Sequence, residues 1–127
     1  MKRNFLIVED EPVARIMIKK VLQESDIELG EIYEAENGEV GIMVLEKNQV
    51  DVMLVDIYMP VMDGIEMLEF ARDHPAFKDI PAIVVSMEND EDRINAIVRS
   101  GLSFVHKPFT KELLEKEILK LTDDHYA

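Results

Sequence analysis

The stretch VMLVDIYMPVMDG, residues 52–64, decides how the rest of the chain is read. Four apolar residues, Val52 to Val55, run straight into a carboxylate, Asp56. Met59-Pro60 and Asp63-Gly64 follow within eight residues. An apolar run without alternation reads as a strand covered on both faces, which belongs to a parallel sheet between two helix layers. An acid where such a strand ends can simply mark the end. Its meaning depends on what else reaches the same edge.

Working outward, apolar runs alternate with amphipathic stretches. FLIV at 5–8 is a first strand, and PVARIMIKKVL at 12–22 is a helix with Val13, Ile16, Met17 and Val21 at helical spacing, Pro12 in its first turn and Asp10 or Glu11 as N-cap. Ile32, Tyr33 and Ala35 lie in a weaker second strand, followed by an Asn37-Gly38 turn and a helix over 39–47. After the third strand, residues 64–73 form a helix with Ile65, Leu68 and Ala71 on one side, stopped by Pro75. Pro81 opens AIVV at 82–85, and 90–100 is a helix with Ile94, Ile97 and Val98 inward, ended by Gly101. SFVH at 103–106 is the fifth strand, and Thr110 caps a last helix with Leu114, Ile118 and Leu121 on one face. The expected fold is α/β: (βα)5, a doubly wound five-stranded parallel sheet with helices on both faces.

The length, 127 residues, suits one domain. The absence of cysteine excludes disulfides, thiolate zinc sites and a cysteine nucleophile, and fits a cytoplasmic location. No signal-peptide core and no membrane-spanning run is present, so no membrane insertion is expected. A formal net charge of −13 opposes direct nucleic-acid binding and favours divalent cations and basic partners. Most of the 27 acids serve solubility. His74 and His125 read as solvated, His106 as structural, and the eight methionines as core filler. TDDHYA at the end reads as a frayed tail.

In an open parallel sheet, ligands bind outside the carboxyl ends of the strands. The first strand ends in Glu9-Asp10, the third in Asp56, the fourth in Ser86, and Lys107-Pro108 follows the fifth. Glu34 and Glu36, after the second strand, are left outside as solvated. Taken singly, acids after strands cap helices, a serine makes a turn, and a lysine before proline faces solvent. Taken together, three carboxylates repel unless a cation joins them. Mg²⁺ suits an all-oxygen set, and Lys107 and Ser86 remain to hold an anion such as a phosphoryl group.

LIVEDE at 6–11, VDIYMPVMDG at 55–64, VVS at 84–86 and FVHKPF at 104–109 stand in the order and spacing of a known family. The chain resembles a receiver domain of two-component response regulators, of the chemotaxis CheY-like type, over residues 4–121. A flavodoxin-like strand order of 2-1-3-4-5 is expected. The resemblance implies that Asp56 is the phosphoacceptor. It implies Glu9, Asp10, Asp56 and the backbone carbonyl of Tyr58 as the Mg²⁺ ligands, with Glu9 acting through water. Ser86 and Lys107 would contact the phosphoryl group, Ser86 and Phe104 would form the switch, and Lys107-Pro108 is a candidate cis peptide. The phosphodonor would be a sensor histidine kinase, a histidine phosphotransfer protein or a small acyl phosphate. A downstream protein target would bind helix four, strand five and helix five, residues 90–121. A monomer or weak dimer is expected.

Met87 departs from the small residue usual in relatives and would narrow access to Asp56 or slow the switch, unless it is harmless surface packing. Tyr58, Met59 and Glu88 flank the site. Tyr58 would shield an acyl phosphate, and Glu88 would repel an acidic donor or orient a hydrolytic water. The expected unit is a single receiver over 1–127 with no output domain, acting as a signalling protein whose chemistry is limited to phosphoryl acceptance and self-dephosphorylation. A phosphate shuttle or sink, or a receiver cut from a longer regulator, remains open. A haloacid-dehalogenase-type phosphohydrolase needs an acid two residues after the nucleophile, where Tyr58 stands. A flavin-binding relative needs a Ser/Thr/Gly-rich loop where EDEPVAR stands.

Overall fold

A computed structural model describes residues 1–122; His125 and most of the expected tail lie outside them. Five strands alternate with five helices: β1 Arg3–Val8, α1 Pro12–Glu24, β2 Leu29–Ala35, α2 Gly38–Lys47, β3 Val52–Val55, α3 Gly64–Asp73, β4 Ala82–Ser86, α4 Glu91–Arg99, β5 Ser103–His106 and α5 Lys111–Thr122. The strands pair in parallel in the order β2-β1-β3-β4-β5. This is the flavodoxin-like order expected from the sequence. No helix among the described residues is long and apolar enough to cross a membrane.

Side chains alternate across the sheet and divide the core in two. Phe5, Ile7, Val52, Leu54, Ile83 and Val85 face α1 and α5, where they meet Ile18, Leu22, Leu114 and Ile118. Leu6, Val8, Met53, Val55 and Val84 face the other layer and meet Leu45 of α2, Met67 and Leu68 of α3 and Ile97 of α4. Both faces of β1, β3 and β4 are therefore covered, which accounts for their unbroken apolar runs.

Helix α1 corrects the sequence reading. Val13, Ile16 and Met17 are exposed, while Ile18, Val21 and Leu22 are buried. The first turns of α1 are apolar nearly all round, so periodicity alone admits two faces, and the one with Ile18 packs on the sheet. Val98 likewise points outward and leaves Ile97 as the buried anchor of α4. Only Met53 and Met67 among the methionines are fully buried; Met17, Met43 and Met87 are exposed. His74 is half-buried rather than solvated: it stacks on Phe77, and its Nδ1 accepts from the Ala76 N–H at 3.0 Å.

The caps follow sequence. The Asn37 side chain caps α2, Asp90 caps α4 and Thr110 caps α5. Asp63 and Glu66 form a capping box on α3. Glu11 occupies the N-cap of α1 without a side-chain bond, since Pro12 already supplies a helix-ready φ. Gly101 ends α4 at φ +95°, a conformation open to glycine.

The loop between β3 and α3 is the tightest part of the chain. A Cβ on Gly64 would lie 1.9 Å from the Asp56 carbonyl oxygen. The close approach, together with the Gly64 N–H bond to the Ile57 carbonyl at 2.8 Å, is what glycine permits here. Val61 holds φ at +71°, which strains a β-branched residue. Gly64→Ala is expected to destabilise the protein by about 3 kcal/mol in urea unfolding, because backbone must move to admit the methyl. Val61→Asn is expected to stabilise it by ~1 kcal/mol, since asparagine accepts the left-handed region and the side chain is exposed.

Candidate functional site

Register brings the ends of β1, β3, β4 and β5 to one edge. Val8 pairs with Val55, Val55 with Val84, and Ser86 with His106. The next residue in each chain is then Glu9, Asp56 and Lys107, while Ser86 itself closes β4. The Asp56 N–H continues the ladder to the Val8 carbonyl at 3.0 Å, and the Lys107 N–H donates to the Ser86 carbonyl at 2.9 Å. The backbones of Glu9, Asp56 and Lys107 are thus tied to the sheet ladder one residue past their strands, while Asp10 stands beyond it.

Glu9, Asp10 and Asp56 place carboxylate oxygens within 4.8 Å of one another. Glu9 is 1% exposed and Asp56 9%, while Asp10 opens to solvent. The Lys107 ammonium donates to Glu9 Oε1 and to Asp56 Oδ2, the latter at 3.3 Å. Asp56 Oδ1 accepts from the Ile57 N–H at 2.8 Å, and Glu9 Oε2 from the Glu11 N–H at 3.2 Å. Ser86 is fully buried, and its Oγ accepts from the Glu88 N–H at 3.3 Å. The Lys107-Pro108 peptide is cis, as expected.

Burial pushes the Glu9 carboxyl up to about 7; the Lys107 hydrogen bond opposes this and the Asp56 charge adds to it. Burial works against the Lys107 ammonium, but the Glu9 hydrogen bond and the two carboxylates outweigh it and raise its pKa. The set is all-oxygen, carries excess negative charge and has one open face at Asp10. Those properties fit a hard divalent cation.

Tyr58 and Glu88 meet across the mouth. The Tyr58 hydroxyl donates to Glu88 Oε1, which raises the phenol pKa and lowers that of the carboxyl. Met87 is exposed and Met59 packs half-buried against the core. Phe104 is half-buried against the same core, and its ring is tilted 6.5 Å from that of exposed His106. His106 Nε2 pairs with Asn89 Oδ1 at 2.7 Å, tying β5 to the loop after β4.

Two residues went unread in the sequence. Arg15 donates to the Glu9 carbonyl at 2.6 Å and pairs with Glu34 at 3.4 Å. Glu34 is therefore tied to the site's support rather than merely solvated. Arg93 pairs with Glu88 at 3.3 Å and sits 5.8 Å from the Tyr58 ring centroid. Its signal was a cation in the first turn of a helix, where the dipole disfavours positive charge.

A carboxylate trio with its own lysine, set at the carboxyl edge of a doubly wound sheet, defines a receiver-type signalling domain. The chain belongs to the response regulator receiver domain family, whose sequence profile matches residues 5–119. It is thus a CheY-like receiver of two-component signalling. It is 32% identical to the chemotaxis protein CheY of Pseudomonas aeruginosa over 119 residues, 93% of this chain and 94% of that one. The chemotaxis response regulator CheY4 of Vibrio cholerae superposes with a TM-score of 0.83 at 25% identity, covering 95% of this chain and 99% of that one. The receiver domain of a Pseudomonas aeruginosa sensor histidine kinase, solved with magnesium coordinated in its active site cleft, superposes at 0.82 with 20% identity, covering 96% and 98%.

Because Glu9 titrates higher in the folded state than unfolded, the folded protein binds the extra proton between about pH 4.5 and 7. Its contribution to stability is present below that window and lost as pH rises through it. Glu9→Gln is expected to flatten this decline and to be more stable than the parent at pH 8 by about 2 kcal/mol, read by urea midpoints across pH.

Proposed function

We propose that the chain is a phosphoacceptor in a two-component phosphorelay, with Asp56 as the residue phosphorylated. The observation that carries this is the position of Asp56. It is nearly buried at a rigid strand end, with Glu9 and Asp10 oxygens within 4.8 Å and the Lys107 ammonium at 3.3 Å.

A carboxylate oxygen of Asp56 attacks the phosphorus of a phosphohistidine or small acyl phosphate and forms an acyl phosphate as the leaving group departs. Lys107 already touches Asp56 and can pass to a phosphoryl oxygen as a point charge. Ser86 gives up the Glu88 N–H and turns its hydroxyl to donate to another phosphoryl oxygen. Glu9, Asp10, Asp56 and the Tyr58 backbone carbonyl would hold Mg²⁺, which when bound offsets the charge on the carboxylates and the transferring group. The magnesium site of the structural relative supports this reading.

The exposed stripe of Val13, Ile16 and Met17 begins three residues after Asp10 and gives the phosphodonor, a sensor histidine kinase or histidine phosphotransfer protein, an apolar ridge beside the acceptor. Readout follows from Ser86 and Phe104. Movement of the hydroxyl frees space into which the half-buried ring repacks, which alters the α4-β5-α5 face, residues 90–121, offered to a downstream protein. Phe104 has no hydroxyl, so it reports by packing alone. The reaction ends on the protein itself, in keeping with a signalling role. Tyr58 stands where a haloacid-dehalogenase-type phosphohydrolase needs an acid two residues after the nucleophile, which disfavours steady turnover of a foreign substrate.

Intact mass after incubation with acetyl phosphate tests the assignment. One added phosphoryl group is expected in wild type with Mg²⁺ and none in Asp56→Asn or without Mg²⁺. Lys107→Ala is expected to slow labelling by roughly 100-fold. A label that survives in Asp56→Asn would place the acceptor elsewhere.

A further inference from the structure

The Glu88 side chain is only 10% exposed and is bonded on all sides. Its Oε1 accepts from the Tyr58 hydroxyl and lies 3.3 Å from Arg93 Nε. Its Oε2 accepts from the Asn89 N–H at 3.1 Å and the Asp90 N–H at 3.2 Å. Its own N–H donates to Ser86 Oγ. Glu88 therefore joins the loop after Asp56 and the first turn of α4 through its carboxylate, and the Ser86 hydroxyl through its backbone N–H. Tyr58 stands two residues after Asp56 and Glu88 two after Ser86, so this junction lies at the same edge as the acceptor.

The charge balance there is uneven. Glu9, Asp10, Asp56 and Glu88 contribute four carboxylates, and Lys107 is engaged between Glu9 and Asp56. Only Arg93 forms an ion pair with Glu88 among the described residues. Asp90, Glu91 and Asp92 precede it in a turn where a helix prefers acids, so the helix itself gives no reason for a cation. Its reason is the Glu88 carboxylate and the Tyr58 ring, which its guanidinium engages by charge and by face at once.

We propose that Arg93 is a positioning residue for phosphoryl transfer: by neutralising Glu88 and holding it against Tyr58, it sets how readily highly charged small donors reach Asp56. The inference rests on the acceptor reading above. Without Arg93, the Glu88 charge faces an incoming phosphoryl donor uncompensated. Repulsion then scales with donor charge, so a dianion is penalised as the square of the factor felt by a monoanion.

Two donors separate this effect from simple damage. With acetyl phosphate, a dianion, the new bond from Asp56 oxygen to phosphorus forms as the bond to acetate breaks and acetate leaves with the electron pair. With phosphoramidate, which carries one net negative charge with its nitrogen protonated, the phosphorus–nitrogen bond breaks and ammonia leaves with its three hydrogens. Labelling rates with both donors are measured by intact mass, in Mg²⁺ and low salt, on wild type, Arg93→Ala, Glu88→Gln and the double variant. Their ratio is taken on the same sample, so any loss of folded protein cancels.

In Arg93→Ala the acetyl phosphate rate is expected to fall about tenfold and the phosphoramidate rate about threefold, so that their ratio falls about threefold. The ratio rises above wild type in Glu88→Gln, where Arg93 stands without its partner, and the double variant lies near wild type. High salt shrinks all of these differences. An unchanged ratio in both single variants overturns the proposal, as does a fall in Arg93→Ala that Glu88→Gln does not reverse. Labelling that persists in Asp56→Asn, or wild type that labels with neither donor, refutes the acceptor reading itself, a result distinct from any ratio among the Arg93 variants.

Discussion

The contact on which the site depends is the Lys107 ammonium between Glu9 and Asp56. Two nearly buried carboxylates at adjacent strand ends would repel each other and resist folding as a charged pair. One cation from a third strand end holds them together. It also explains the division of labour in the acid trio. Glu9 is drawn into the protein, where burial raises its pKa against the pull of the lysine, whereas Asp10 stays in solvent. Under the function proposed above, the same lysine would then meet an incoming phosphoryl oxygen.

Around this contact the protein separates rigid from adjustable parts. Asp56, Glu9 and Lys107 are fixed by the sheet ladder and by the close approach of Gly64 to the Asp56 carbonyl. Ser86, Tyr58, Glu88 and Phe104 are held instead by side-chain bonds and partial packing. Under the function proposed above, rigidity lies where bond-making would need alignment, and adjustability where a signal would leave the site.

Much of this was legible in the sequence, and for identifiable reasons. Unbroken apolar runs gave the parallel sheet, and the residues closing those runs gave Glu9, Asp56, Ser86 and Lys107 their common edge. Four motifs in register supplied the family. The face of α1 was not legible, because Val13, Ile16 and Met17 compete with Ile18, Val21 and Leu22 at the same period, and only the shape of the sheet selects between them. Arg15 and Arg93 were missed because each acts through a partner distant in sequence, Glu34 in one case and Glu88 with Tyr58 in the other. Pairings of that kind leave only faint marks, such as a cation at the wrong end of a helix. The strain at Val61 leaves none, since valine there looks like any other loop residue.

The sheet register has a consequence for how such a protein can change over generations. Glu9, Asp56, Ser86 and Lys107 each close or follow a different strand, so the ladder acts as a ruler that sets their spacing. One residue gained or lost inside β1, β3, β4 or β5 shifts a group by about 3.3 Å and turns its side chain to the opposite face. Substitution within the same strands moves nothing, provided the replacement is apolar and of similar bulk. Descent should therefore tolerate wholesale replacement of the core while forbidding insertions and deletions in these strands. Relatives that share only a minority of residues yet superpose along nearly the whole chain are what that asymmetry produces.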